Sequence, residues 1–193
     1  TDSLDGAIAV VVDNKVNTQV PGSYLVSFTA TDAAGNAAVE VTRTVIVEDT
    51  LPPVITLIGS ALVTIEAGSE YADAGATASD TLDGVIAVVV DNKVNTQVPG
   101  SYLVSFTATD AAGNAAVEVT RTVIVEDTLP PVITLTGSAS VTIEAGSEYL
   151  DAGATASDTL DGAIAVVVDN KVNTQVPGSY LVSFTATDAA GNS

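Results

Sequence analysis

The chain contains no cysteine, histidine, methionine or tryptophan. It has five basic residues, Lys15, Arg43, Lys93, Arg121 and Lys171, against 24 acidic ones. Without cysteine no disulfide can staple the fold. Without histidine or cysteine, a Ser/His/Asp or Cys/His nucleophile system is excluded, and so is zinc held by imidazole or thiolate. A formal net charge of −19 repels nucleic acid and anionic lipid, so nucleic acid is not expected as a partner. Three Phe and five Tyr are the only aromatics, too few for the exposed platforms of a polysaccharide-binding module. The longest apolar runs, such as Val85 to Val90, fall far short of the roughly 20 residues a bilayer span needs, so no membrane insertion is expected in this segment. With neither an initiator methionine nor a signal peptide at Thr1, the chain reads as an internal piece of a longer protein.

What is present is a repeat. Asp5-Gly6, Asp83-Gly84 and Asp161-Gly162 recur at a spacing of 78 residues, as do Pro21-Gly22, Pro99-Gly100 and Pro177-Gly178. One copy is complete, 49–126. A partial copy precedes it, 1–48, lacking the first two strands and most of the third, and another follows, 127–193, lacking the last strand. The last two copies differ only at Ile58/Thr136, Leu62/Ser140, Ala72/Leu150, Val85/Ala163 and Ala115/Ser193. Such likeness suits a region whose value is length or valency.

Within the complete copy, short β-branched runs between Gly, Pro, Asp and Asn predict about seven strands and no helix. These are 54–57, 62–66, 71–80, an alternating run through Ile86, Val88 and Val90, 94–98, 101–109 and 117–125. Alternation turns Ile55, Leu57, Val63, Ile65, Tyr102, Val104, Phe106, Ala108 and the valines 117, 119, 123 and 125 inward. Copy three supports this phase, since it replaces outward-facing Ile58 and Leu62 by Thr136 and Ser140. Arg121 is in phase with the inward valines, which predicts a bulge or a snorkelling side chain at an open edge. The fold class is all-β, tandem immunoglobulin-like antiparallel β-sandwiches. Tyr24, Tyr102 and Tyr180 follow Pro-Gly where a tyrosine corner caps a nearby backbone group. The linker Val47-Glu48-Asp49-Thr50-Leu51-Pro52-Pro53, repeated at Val125 to Pro131, is short and stiffened by proline. Stiff rods follow, each copy adding about 35 to 45 Å.

Pro-Pro-Val-Ile-Thr-Leu, Val-Thr-Ile-Glu-Ala-Gly-Ser, Asp-Ala-Gly-Ala-Thr-Ala, Pro-Gly-Ser-Tyr and Thr-Ala-Thr-Asp-Ala-Ala-Gly-Asn together resemble the bacterial immunoglobulin-like surface and adhesin repeats, close to the hyalin-repeat group. The resemblance covers the complete copy and both partial ones. It implies an exported, cell-surface or secreted protein in which such modules form a stalk or adhesive region.

Carboxylates are the only chemistry left. A pair of them can hydrolyse glycosides, but these recur in every copy, and an enzyme has little need of many identical active sites. No enzyme is expected. Calcium is the sharper candidate, because acidic turns offer hard oxygen ligands and Ca²⁺ takes six to eight of them. The loop Asp110 to Asn114 and the linker pair Glu48-Asp49 are expected at one end of the complete copy. The turn containing Asp2 and Asp5 of the preceding copy is expected at the same junction, as in cadherin-like rods. Equivalent candidates are Asp80 and Asp83, the linker pair Glu126-Asp127, and Asp188 with Asn192. The competing reading is that Asp and Asn in turns cap their own backbone. If Ca²⁺ binds, an extracellular-type affinity of about 10⁻⁴ to 10⁻³ M is expected.

The function expected is that of a stalk or extender of a surface adhesin, whose partners are the neighbouring repeats of its own chain. The alternative is a segment of an extracellular filament in which like chains pack laterally or exchange strands. An accessory carbohydrate-binding module of a secreted enzyme is a third, weakened by the scarcity of aromatics.

Overall fold

A computed structural model describes residues 1–193. It holds fifteen strands and no helix, so the expected all-β class holds. The first copy supplies β1 (Val11–Asn14), β2 (Gly22–Thr29) and β3 (Val41–Val47). The complete copy supplies β4 (Val54–Leu57), β5 (Leu62–Glu66), β6 (Ala76–Asp80), β7 (Gly84–Ile86), β8 (Val89–Asn92), β9 (Gly100–Thr107) and β10 (Val119–Glu126). The last supplies β11 (Val132–Leu135), β12 (Ala154–Asp158), β13 (Gly162–Ile164), β14 (Val167–Asn170) and β15 (Val182–Thr185).

The strands fall into two compact units that interleave along the chain. One, Thr1–Thr56 with Ala76–Val89 and Thr107–Glu118, carries the sheets β1-β2-β3 and β4-β6-β7. The β1, β2 and β3 pairings are antiparallel, with Tyr24 opposite Val45. The other, Leu57–Gly75 with Val90–Phe106 and Val119–Ser193, carries β5-β10-β9-β8 and the two sheets of the last copy, β11-β12-β13 and β14-β15. In its largest sheet β10 lies between β9, antiparallel, and β5, parallel, with Val123 opposite Tyr102 on one side and Val63 on the other. Alternation puts Val104, Phe106, Val123 and Val125 on the buried face, each 0 or 1 % exposed.

The complete copy has the expected number of strands, but not the expected seven. Val94 to Val98 forms no strand. Asn92 Oδ1 accepts the Val94 amide at 3.0 Å, Asn95 Oδ1 accepts the Gln97 amide at 3.0 Å, and Asn95 O takes the Val98 amide. These side-chain turns use backbone groups a ladder would need. The run through Val90 breaks instead into β7 and β8, which belong to different sheets, leaving Val90 exposed. The third strand begins only at Ala76, because Asp73 Oδ1 takes the Gly75 amide and Gly75 sits at φ +82°, open to glycine but not to a branched residue. Val117 is 82 % exposed, since the strand starts two residues later at Val119. Arg121 sits neither on an edge nor in a bulge: β10 is an interior strand, its register unbroken, and Arg121 is 0 % exposed.

The tyrosine corner is present in all three copies. The hydroxyls of Tyr24, Tyr102 and Tyr180 donate to the carbonyls of Val20, Val98 and Val176 at 2.7, 2.8 and 2.9 Å. Tyr102→Phe removes only this bond and should destabilise the complete copy by about 1 kcal/mol. Urea unfolding followed by far-ultraviolet circular dichroism would measure it.

Candidate functional site

The linker, one turn and one loop build a carboxylate trio at the start of the complete copy. In the turn, Asp80 Oδ1 accepts the amides of Leu82 at 2.7 Å and Asp83 at 3.1 Å, which holds its carboxyl below the usual range and closes the chain at Gly84. Asp83 is thereby aimed at the loop, where its Oδ2 accepts the Ala111 amide at 2.8 Å. In that loop Asp110 accepts both nitrogens of Asn114, the amide at 2.7 Å and Nδ2 at 2.8 Å. Gly113 reverses the chain at φ +94°. Asn114 Nδ2 also donates to the Asp49 carbonyl at 3.2 Å, tying the linker to the loop. Asp49 Oδ1 caps the Leu51 amide at 3.3 Å, whereas its Oδ2 is buried without a partner.

One carboxylate oxygen from each of Asp49, Asp83 and Asp110 lies within 4.8 Å of the others, and Asp110 is 7 % exposed. Two oxygens bound to one Ca²⁺ at about 2.4 Å can stand at most about 4.8 Å apart, so the trio matches a fraction of a calcium shell. The orphaned Asp49 oxygen fits the same reading, because a buried carboxylate oxygen without a donor calls for a cation.

The second junction repeats the plan with one change. Asp188 accepts Asn192 Nδ2 at 2.9 Å and Asn192 donates to the Asp127 carbonyl at 3.2 Å. The trio here is Asp127, Asp158 and Asp188. Burial, then the charges of Asp158, Asp188, Glu66 and Asp161, push the Asp127 carboxyl up. Asp188 is held low. Burial opposes this, but the Asn192 side chain and the Asn192, Gly191 and Ala190 amides outweigh it. Glu66 of the complete copy reaches this junction too, taking the Thr128 hydroxyl at 2.6 Å and amide at 2.9 Å, which lowers its own pKa.

Of the candidates, Asp49, Asp83, Asp110, Asp127 and Asp188 are therefore gathered into trios, with Asn114 and Asn192 bracing them. Glu48 and Glu126 are exposed and outside the trios. Asp80 stands outside the trio, although its counterpart Asp158, which caps the same turn, belongs to one. The turn of the preceding copy does not join Asp49. Asp2 Oδ1 accepts the Leu4 amide at 2.7 Å, and Asp5 Oδ2 accepts the Ala33 amide at 3.2 Å within the first copy. The linker meets the turn of the copy it enters, because Asn114 and Asp83 both anchor to the same loop. Asp158 is the one trio member that sequence reasoning misses, although the 78-residue spacing makes it the counterpart of Asp80.

A family model described as bacterial surface protein, Ig-like domain, matches residues 1–47, 55–125 and 133–193. Two curated relatives are hyalins of sea urchins. That of Lytechinus variegatus is 32% identical over 189 residues, covering 89% of this chain and 35% of the relative. That of Strongylocentrotus purpuratus is 30% identical over 184 residues, covering 86% and 15%. The chain thus spans about a third or less of the relatives it matches. A solved lipoprotein, BT2262 from Bacteroides thetaiotaomicron, aligns with a TM-score of 0.36 at 21% identity over 59% of this chain and 55% of that one. Copy by copy, the chain belongs to the bacterial surface immunoglobulin-like domain family, and with it to extracellular, surface-exposed proteins.

Proposed function

We propose that these residues form a non-catalytic extender in a surface protein, a run of modules whose joints take up Ca²⁺. The observation that carries the reading is the unpartnered buried Oδ2 of Asp49, a residue whose carboxylate forms the trio with Asp83 and Asp110 where the linker enters the complete copy. Bound there, Ca²⁺ would supply the missing partner and tie linker, turn and loop into one body. At the second joint it would offset the burial and the neighbouring charges that raise the Asp127 pKa. Near-identical copies favour the same role, since each added copy lengthens the array without requiring a new surface.

At about 10 mM Ca²⁺ and the affinity expected of extracellular sites, mass action should raise the thermal midpoint by roughly 5 °C over the chelated protein. The double variant Asp49→Asn, Asp127→Asn should lose that response. An unchanged midpoint together with an unchanged small-angle scattering profile, with and without Ca²⁺, would overturn the reading.

A further inference from the structure

The linker at residues 126–128 is held by both of the copies it joins. On the side it enters, Asn192 Nδ2 donates to the Asp127 carbonyl at 3.2 Å, and Asp127 forms its trio with Asp158 and Asp188 of the last copy. No member of that trio comes from the complete copy. An ion bound to it therefore fastens the linker to the copy it enters and not to the one it leaves.

The grip on the other side is the tip that follows β5. Glu66, the last residue of β5, commits both carboxylate oxygens to Thr128, one to its amide at 2.9 Å and the other to its hydroxyl at 2.6 Å. Bonds to an ionised acceptor are shorter and stronger than neutral ones. Ala67, 5 % exposed, adds a backbone bond from its amide to the Glu126 carbonyl at 2.7 Å. Gly68 follows at φ +80°, its amide on the Thr96 carbonyl at 2.7 Å. Thr159, in the turn between β12 and β13, approaches this tip so closely that a Cβ on Gly68 would lie 3.8 Å from its methyl group. The tip thus grips the linker and also meets the last copy directly. All of these residues fall in one compact unit.

We propose that the tip Glu66–Gly68 is a docking surface for the copy that follows, and that Glu66, through Thr128, is the positioning residue that couples the β5-β10-β9-β8 sheet to the last copy without help from Ca²⁺. Modules joined by a linker move independently unless contacts span the joint. Here the trio spans only half of it, and the Glu66 latch spans the rest. Glu66 and Thr128 recur at the 78-residue period as Glu144 and Thr50, so the same latch can form wherever one copy follows another. Its use to the protein rests on the extender reading, whereas the coupling itself is independent of Ca²⁺ uptake.

A chain without cysteine accepts a single pair of spin labels cleanly. Ser101→Cys in β9 and Ser183→Cys in β15, both at exposed positions, would report the spacing across the joint by double electron–electron resonance. In chelator the labelled parent should give one narrow distance distribution. Glu66→Ala should lose that narrow peak while keeping the circular dichroism of the folded chain. Thr128→Val lies outside every strand and removes the hydroxyl bond alone, so it should broaden the distribution part way. Adding Ca²⁺ to Glu66→Ala should leave the distribution broad, because the trio has no ligand from the complete copy. A parent distribution already broad in chelator would overturn the proposal. So would a narrow peak retained by Glu66→Ala, one that Ca²⁺ restores to it, or a Thr128→Val distribution identical to the parent's. Failure of Ca²⁺ uptake shows elsewhere, as an unchanged melting midpoint.

Discussion

Asp73→Ala should destabilise the complete copy by about 3–5 kcal/mol, because it strands a buried charge. Arg121 is 0 % exposed in the middle of the β5-β10-β9-β8 sheet, and its Nε bond to the Ser60 carbonyl at 2.8 Å cannot neutralise it. Only Asp73 can. The variant that removes both charges, Asp73→Leu with Arg121→Met, should recover most of the loss, since apolar replacements of similar volume often match a buried pair. Hydrogen exchange at the Val123 amide would read both effects in the right copy. Acid should act at the same place. Burial alone would raise the Asp73 carboxyl, but bonds from Arg121, Tyr71 and the Gly75 amide outweigh it and hold it below the usual value. A folded pKa below the unfolded one, about 3.9, contributes stability that is present above that value and lost as pH falls through the folded one. Exchange protection at Val123 should therefore fall off below about pH 4 in the parent chain, and fall off less in the double variant, where only other lowered carboxyls such as Asp80 and Glu66 remain.

Phe106→Ala should cost about 3–5 kcal/mol, whereas Phe28→Ala, the same substitution in the first copy, should cost no more than about 2 kcal/mol. Phe106 is 0 % exposed, with the Arg121 guanidinium 5.6 Å from its ring centre. Phe28 is only half-buried. Exchange-based stabilities measured copy by copy would separate the two, and equal losses would mean that burial does not set the energetics of these strands.

Much of the fold could be read from the period and from alternation. The strand carrying Tyr102, Val104 and Phe106 and the outward turn of Ile58 and Leu62 rest on local alternation, and the tyrosine corner rests on local chemistry that repeats in each copy. Val94 to Val98 could not be read, because Asn92 and Asn95 withdraw backbone groups from a run that otherwise has strand composition. Arg121 misled for another reason: a charge in an apolar phase is ordinarily at an edge, and the anion that makes its burial tolerable lies 48 residues away. Val141 to Glu144 shows the limit most directly: it repeats Val63 to Glu66 of β5 yet forms no strand, and no local rule distinguishes the two. The site was legible as a set of acidic turns meeting the linker. That Asp83 rather than Asp5 meets Asp49 depends on which copy's loop Asn114 braces, a tertiary fact.

The parallel pairing of β5 with β10 bears on how such a module carries tension. Near its entry the complete copy runs through β5, and it leaves through β10, so a pull applied at the two ends draws these neighbours past one another along their length. All five residue pairs, Leu62 with Thr122 through Glu66 with Glu126, are then loaded together. An antiparallel exit would break its bonds singly, like a zip. A module pulled at its two ends would meet its resistance in this ladder, and its rupture rate under load, rather than its equilibrium stability, would decide how long it holds.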